Sequence, residues 1–242
     1  MIVYIVRHGQ SEFNANHGIG CENIRDCDLE LTDNGVIQAK EAGKALKEDL
    51  KMHGVGRNRV RVLASPYKRA ILTAENIACE LELGESIVIE DMLTEQNYGL
   101  FTGSEDTSAN EKKYPEVYKY YSETIDKVGR FYTRMPYGES EFDMVSRANQ
   151  VINKLKELAR TKKYKAVVIV THHNFIRALM KALLNEGMEW YEAENGPCNC
   201  GVQKMAFSIE LDKNGRYLRE GADYHTQYIG YIHGDKLDKW MV

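Results

Sequence analysis

Two short runs constrain this chain more than any other feature: Ile2-Val3-Tyr4-Ile5-Val6 near its start and Ala166-Val167-Val168-Ile169-Val170 far downstream. Neither alternates apolar with polar residues. A strand made from either run hides both faces, and such strands belong to parallel sheets covered by helices on both sides. Val60-Arg61-Val62-Leu63-Ala64 reads as another strand, and Ile87-Val88-Ile89 as a short third one in chain order. The stretch from Ala206 to Leu211 alternates as an outer strand would.

Helical spacing fills the intervals. Leu31-Thr32 predicts a helix start, with Thr32 as N-cap and Leu31 and Val36 spaced for a hydrophobic staple. Ala39, Ala42, Leu46 and Leu50 continue it, and Ala70, Ala74, Ile77 and Leu81 mark the next helix. Met144, Ala148, Val151, Leu155 and Leu158 predict a long one, and Phe175, Ile176, Leu179 and Leu183 a last. This alternation predicts an α/β fold: a single domain over residues 1–242, with a mostly parallel central sheet flanked by helices. Residues 102–137 break the pattern. Tyr114, Tyr118, Tyr120, Tyr121, Phe131 and Tyr132 are interleaved there with charges and no strand is visible, which predicts a helical insertion covering the C-terminal edge of the strands.

Composition narrows the function classes. The net charge of -4 gives no basic footprint for nucleic acid or an anionic membrane surface, so neither partner is expected. No apolar run approaches the roughly 20 residues that cross a bilayer, and Met1 to Val6 runs directly into polar residues instead of a signal-peptide core. The expectation is a cytoplasmic protein whose mature form starts at Met1. Cys21, Cys27, Cys79, Cys198 and Cys200 are odd in number and form no C-x-x-C pair, which predicts free thiols in place of a zinc site or a disulfide framework.

Chemistry gathers where the strands end. The first is followed by Arg7-His8-Gly9, the second by Ser65-Pro66-Tyr67-Lys68-Arg69, the third by Glu95, and the run ending at Val170 by Thr171-His172-His173. Ligands of open parallel sheets sit beyond the carboxyl ends of the strands, so these residues are expected to converge. Arginines and protonated imidazoles offer donors matched to phosphate oxygens, a neutral histidine can attack phosphorus, and a carboxylic acid can protonate a leaving alkoxide. A carboxylate cluster suited to Mg²⁺ and a phosphate-binding G-x-x-x-x-G-K-[ST] loop are both missing from the sequence. Phosphoryl transfer through a phosphohistidine, with no metal or other cofactor, is the chemistry that fits.

Arg7-His8-Gly9-Gln10-Ser11-Glu12-Phe13-Asn14, Ser65-Pro66-Tyr67-Lys68-Arg69-Ala70, Glu95-Gln96-Asn97-Tyr98-Gly99-Leu100-Phe101, Gly138-Glu139-Ser140 and Val170-Thr171-His172 occur in that order. Together they resemble the histidine phosphatase, or phosphoglycerate mutase-like, superfamily, over Met1 to about Leu211. The resemblance implies that His8 is the phosphorylated nucleophile and Glu95 the general acid and base. It implies a phosphate clamp of Arg7, Arg69 and His172, with Asn14 as a further contact, and a phosphorylated small molecule as substrate. Residues 128–140 and Asn195-Gly196-Pro197-Cys198-Asn199-Cys200 look more like the branch of broad-range acid phosphatases. The paired arginines and proline-rich segment of the mutases are not visible.

Three functions follow in order of preference: a metal-independent phosphomonoester hydrolase, a cofactor-dependent phosphoglycerate mutase, and a sensor that binds a phosphorylated ligand with little catalysis. His173 stands where many members of the superfamily have glycine, and it joins Arg130 and Arg134 as candidates for the substrate pocket. For Arg130 and Arg134 a solvated cover over the sheet is the simpler expectation. The tail from Gly221 to Val242 is compatible with covering the cleft or with a homo-oligomer contact.

Overall fold

The protein is described by a computed structural model covering residues 1–209 other than 22, 85–86 and 104–106, together with the backbone of 224–233 and 236–238. The strands are β1 (Ile2–Arg7), β2 (Val60–Ala64), β3 (Ile87–Ile89), β4 (Ala166–Thr171), β5 (Val202–Ile209), β6 (Tyr224–His233) and β7 (Lys236–Asp238). The helices are α1 (Glu12–Asn16), α2 (Asp33–Met52), α3 (Lys68–Glu80), α4 (Thr107–Lys113), α5 (Pro115–Val128), α6 (Glu141–Arg160), α7 (His173–Leu184) and α8 (Met188–Ala193). The sheet runs in the order β3-β2-β4-β1-β5-β6-β7. Its first four strands are parallel, and the other three are antiparallel additions.

The unbroken apolar runs are explained by the two faces they serve. Tyr4, Val6, Val168 and Val170 pack with Ala39, Leu46, Ala74 and Ile77 of α2 and α3. Their neighbours Val3, Ile5, Val167 and Ile169 pack with Val151, Leu155, Phe175 and Leu179 of α6 and α7. Successive side chains on a strand point to opposite faces, so a sheet between two helical layers has no place for a polar alternate. Thr32 caps α2 as its sequence predicts, its hydroxyl accepting from the amide of Gly35 at 3.0 Å. Ser140 begins α6 with a reciprocal capping box to Asp143.

The last strands depart from expectation. β5 begins at Val202, ahead of Ala206, and it is not outermost, because β6 pairs along it and β7 beyond that. Its early residues Gln203 and Lys204 interrupt the apolar alternation although both are buried. Lys204 meets its partner on α2: its ammonium donates to Asp49 Oδ1 at 2.8 Å, and Tyr4 donates its hydroxyl to Oδ2 of the same carboxylate. Part of the tail, 224–233 and 236–238, thus extends the sheet; residues 210–211, 221–223, 234–235 and 239–242 lie outside the described residues.

The insertion contains α4 and α5, and after them Phe131 packs with Met144, Ala178 and Tyr191. Phe101 anchors its start against the rings of Tyr118 and Tyr121. None of the five cysteines is joined in a disulfide. Among the described residues no helix is long and apolar enough to cross a membrane.

Candidate active site

β1 and β4 are adjacent and in parallel register, with Arg7 opposite Thr171, so Arg7-His8 and Thr171-His172 leave the sheet side by side. His8 remains in that register by donating its amide to the Thr171 carbonyl at 2.9 Å. Gly9 then turns the chain against the start of α2. A Cβ there would stand 2.5 Å from the Gly35 carbonyl oxygen, so only glycine fits. The Gly9 amide donates to Thr73 Oγ1 on α3. That bond ties the turn to the helix that carries Arg69.

The His8 ring is almost fully buried. Its Nδ1 lies 2.8 Å from the Gly9 carbonyl oxygen, which only accepts, so the proton resides on Nδ1. Nε2 is left with its lone pair, and Arg69 donates its Nε–H to it at 3.3 Å. Burial, and then the charges of Arg69 and Arg7, push the His8 pKa well below the ordinary histidine value. The ring is therefore neutral, with an in-plane electron pair at Nε2.

His172 is fully buried, its ring 5.2 Å from that of His8 and 4.9 Å from that of Tyr67. Its Nε2 pairs with Ser65 Oγ at 2.7 Å, whereas Nδ1 has no hydrogen-bond partner among the described residues. Desolvation, reinforced by Arg69, holds its pKa well below 6.5. Arg7 donates from Nη1 to the Pro197 carbonyl at 3.0 Å. Asn14, which closes the capping box of α1, accepts at Oδ1 from Ser11 and from Asn199, and Asn199 also donates to the His8 carbonyl at 3.1 Å.

Glu95 stands at the start of α7. Its carboxylate accepts from the amides of Gln96 at 2.9 Å and of Asn174 and Phe175 at 3.2 Å. These donors and the helix dipole favour the charged form, but burial outweighs them and raises its pKa above the ordinary carboxylate value. Arg147 on α6 holds this loop from below. It donates to the carbonyls of Met92 at 2.8 Å, Thr94 at 2.7 Å and Glu95 at 3.3 Å, and it is paired with Glu139 at 2.9 Å.

The structure thus brings Arg7, His8, Asn14, Arg69, Glu95 and His172 to one end of the sheet. His173 turns aside. Its ring packs on Gly196, where a Cβ would come within 2.7 Å of it, and its buried Nδ1 has no hydrogen-bond partner among the described residues. Burial and Arg7 press its pKa down to about 4. Arg130 and Arg134 make no contact with this group: Arg130 lies 3.4 Å from Glu141, and Arg134 pairs with Asp143 at 2.6 Å, each largely exposed. Arg147 and Asp26, a partner of Arg69 at 3.0 Å, escape sequence reasoning, and Ser65 and Asn199, though they stand in the quoted stretches, receive no role from it. They lie in turns or on the polar face of a helix, and no periodicity marks them.

A family model described as the histidine phosphatase superfamily (branch 1) matches residues 3–216. The phosphoglycerate mutase-like protein AT74 of Arabidopsis thaliana is 27% identical over 235 residues, covering 93% of this chain and 69% of its own length. A 2,3-bisphosphoglycerate-dependent phosphoglycerate mutase of Corynebacterium jeikeium (strain K411) is 28% identical over 240 residues, with 91% and 87% covered. Among solved structures, mycobacterial glucosyl-3-phosphoglycerate phosphatase with VO3 has a TM-score of 0.64 at 21% identity, covering 92% of this chain and 98% of that one. Phosphoserine phosphatase of Entamoeba histolytica, in a mutant form with phosphoserine, has a TM-score of 0.61 at 22% identity, with 95% of both covered. Mutase-like relatives and phosphatase folds thus occur together, a coarser grouping than the acid phosphatase likeness suggests.

Proposed function

The chain belongs to the histidine phosphatase superfamily (branch 1), and from that premise we propose that it hydrolyses small-molecule phosphomonoesters through a phosphohistidine on His8. The observation that carries this reading is the tautomer. With its proton on Nδ1 facing Gly9, His8 offers an unprotonated Nε2 beside Arg69. In the first step Nε2 forms a bond to phosphorus while the ester bond breaks, and Glu95 gives its proton to the departing oxygen. Arg7 and Arg69 stabilise charge on the equatorial oxygens, and the unpartnered Nδ1 of His172 and the amide of Asn14 complete the clamp. In the second step Glu95, now a carboxylate, takes a proton from water as that water attacks phosphorus. The P–N bond breaks and its electron pair returns to Nε2.

Hydrolysis is favoured over return of the phosphoryl group to substrate by the likeness of residues 128–140 and 195–200 to broad-range phosphatases. The ion pairs of Arg130 with Glu141 and of Arg134 with Asp143 on α6 support a place for both outside a mutase-like arginine pair. The test is phosphate release from 4-nitrophenyl phosphate and a panel of monoesters in the presence of EDTA, beside His8→Ala. Release that depends on His8, with an acid-labile phosphoenzyme trapped on quenching, is expected. Undiminished release by His8→Ala would overturn the mechanism, and primer-dependent isomerisation of 3-phosphoglycerate without release would assign the chain to the mutases.

A further inference from the structure

The proposed steps give no role to Asp26, the first residue of a short 3-10 turn, yet its carboxylate stands against the clamp. Asp26 Oδ1 lies 3.0 Å from Arg69 Nη1, and the Asp26 backbone carbonyl accepts from the same nitrogen. Arg69 is therefore stretched between two residues, with Nε turned to His8 and Nη1 to Asp26. Its guanidinium also lies over the Tyr67 ring, 5.0 Å from the centroid. Asp26 keeps 30% of its side chain exposed whereas Arg69 keeps 6%, so the carboxylate opens outward while the arginine is enclosed.

The surroundings indicate which part of a substrate would meet it. Along Arg69 the contacts run outward, from the enclosed His8 Nε2 at Nε to the partly exposed Asp26 at Nη1. An in-line displacement by Nε2 sends the leaving oxygen away from His8, so the outward end of the arginine, where Asp26 stands, is the end nearer the alcohol portion. A carboxylate beside a bound phosphate opposes binding by like charge, and it favours a substrate only through donors on that alcohol portion.

We propose that Asp26 is a specificity-determining residue: it selects phosphomonoesters whose alcohol portion carries hydroxyl or ammonium donors near the ester and rejects those with a carboxylate there. The proposal rests on the phosphomonoesterase reading for the side on which the alcohol lies. It also makes Asp26 a repulsive element against acidic analogues, which is how discrimination between ligands of similar size is commonly obtained.

Glycerol 3-phosphate and 3-phosphoglycerate differ chiefly in a hydroxymethyl group against a carboxylate, and inorganic phosphate reports on the phosphate clamp, Arg69 included, without an alcohol portion. All three are titrated calorimetrically into His8→Ala, His8→Ala with Asp26→Asn, and His8→Ala with Asp26→Ser. Glycerol 3-phosphate is expected to bind the first protein about tenfold more tightly than 3-phosphoglycerate, and the ratio to fall to within about twofold in both Asp26 variants. A ratio that stays constant while all three ligands shift together would mean that Asp26 acts only on Arg69, and the proposal falls. A preference for 3-phosphoglycerate in the first protein would also overturn it. The hydrolase reading is judged separately, by release from 4-nitrophenyl phosphate with His8 intact, so the binding ratio decides the role of Asp26 even if no turnover occurs.

Discussion

Arg69 donates its Nε–H to Nε2 of His8 across 3.3 Å, and this contact orients the two residues while opposing a proton on the acceptor. A cation held against an imidazole nitrogen makes that nitrogen a poor base. It does so without removing the electron pair, and the displacement of an ester oxygen requires that pair.

The pH dependence of kcat/KM should therefore be bell-shaped with an unusual acid limb. Activity rises as His8 loses its proton, at a pH well below the ordinary histidine value, and falls as Glu95 loses its proton, at a pH above the ordinary carboxylate value. Hydrolysis of 4-nitrophenyl phosphate from about pH 4 to 9 tests this. Glu95→Gln should lose roughly 10²–10⁴ in kcat and its alkaline limb together. An unchanged alkaline limb in that variant would remove Glu95 from the acid's role.

Stability should fall as pH drops below the ordinary histidine value. His8, His172 and His173 stay neutral in the fold over this range, whereas the unfolded chain protonates all three near 6.5, so the unfolded state binds more protons. Each contributes a slope of up to about 1.4 kcal/mol per pH unit, with stability rising as pH rises. Urea denaturation between about pH 5 and 7.5 measures it, and His8→Ala should flatten the histidine contribution by about a third.

Arg147→Lys should lower kcat about tenfold with little change in KM. A lysine cannot reach the Met92, Thr94 and Glu95 carbonyls together while remaining paired with Glu139, so the acid's loop loses its orientation as the phosphate clamp persists. Steady-state kinetics separates the two constants, and a rise in KM alone would contradict this role.

Asp49→Asn should destabilise the protein by about 3–5 kcal/mol, because it leaves the Lys204 ammonium buried without its counter-charge. The pair lies away from His8, so specific activity of the folded protein should be retained. Equilibrium denaturation beside an activity assay reads both.

The fold was legible in the sequence where apolar runs were continuous. Ile2–Val6, Val60–Ala64, Ile87–Ile89 and Ala166–Val170 all fall within strands, because two-sided burial leaves a signature that local sequence carries. The start of β5 was not legible, since Lys204 is buried only by virtue of a carboxylate 155 residues earlier. The site divides similarly. Residues that follow strands directly, such as His8 and His172, could be placed by the rule that ligands gather at strand ends. Asp26 and Asn199 approach the same point from turns, where position depends on tertiary contacts and no period records it.

The placement of β1 has a consequence for the order in which the site can be assembled. The strand leaves the ribosome ahead of every other strand of the sheet, yet its neighbours are residues 166–171 on one side and 202–206 on the other. His8 takes its backbone partner from Thr171, and the Arg7 carbonyl accepts from the amide of Cys200. A nascent chain therefore carries His8 until Thr171 and Cys200 have been made without the surroundings that keep its ring neutral. The end of the sheet that bears His8 is assembled only when about two hundred residues are free to fold, so under the proposed mechanism a chain interrupted before β5 would be inactive however much of the remaining structure it had formed.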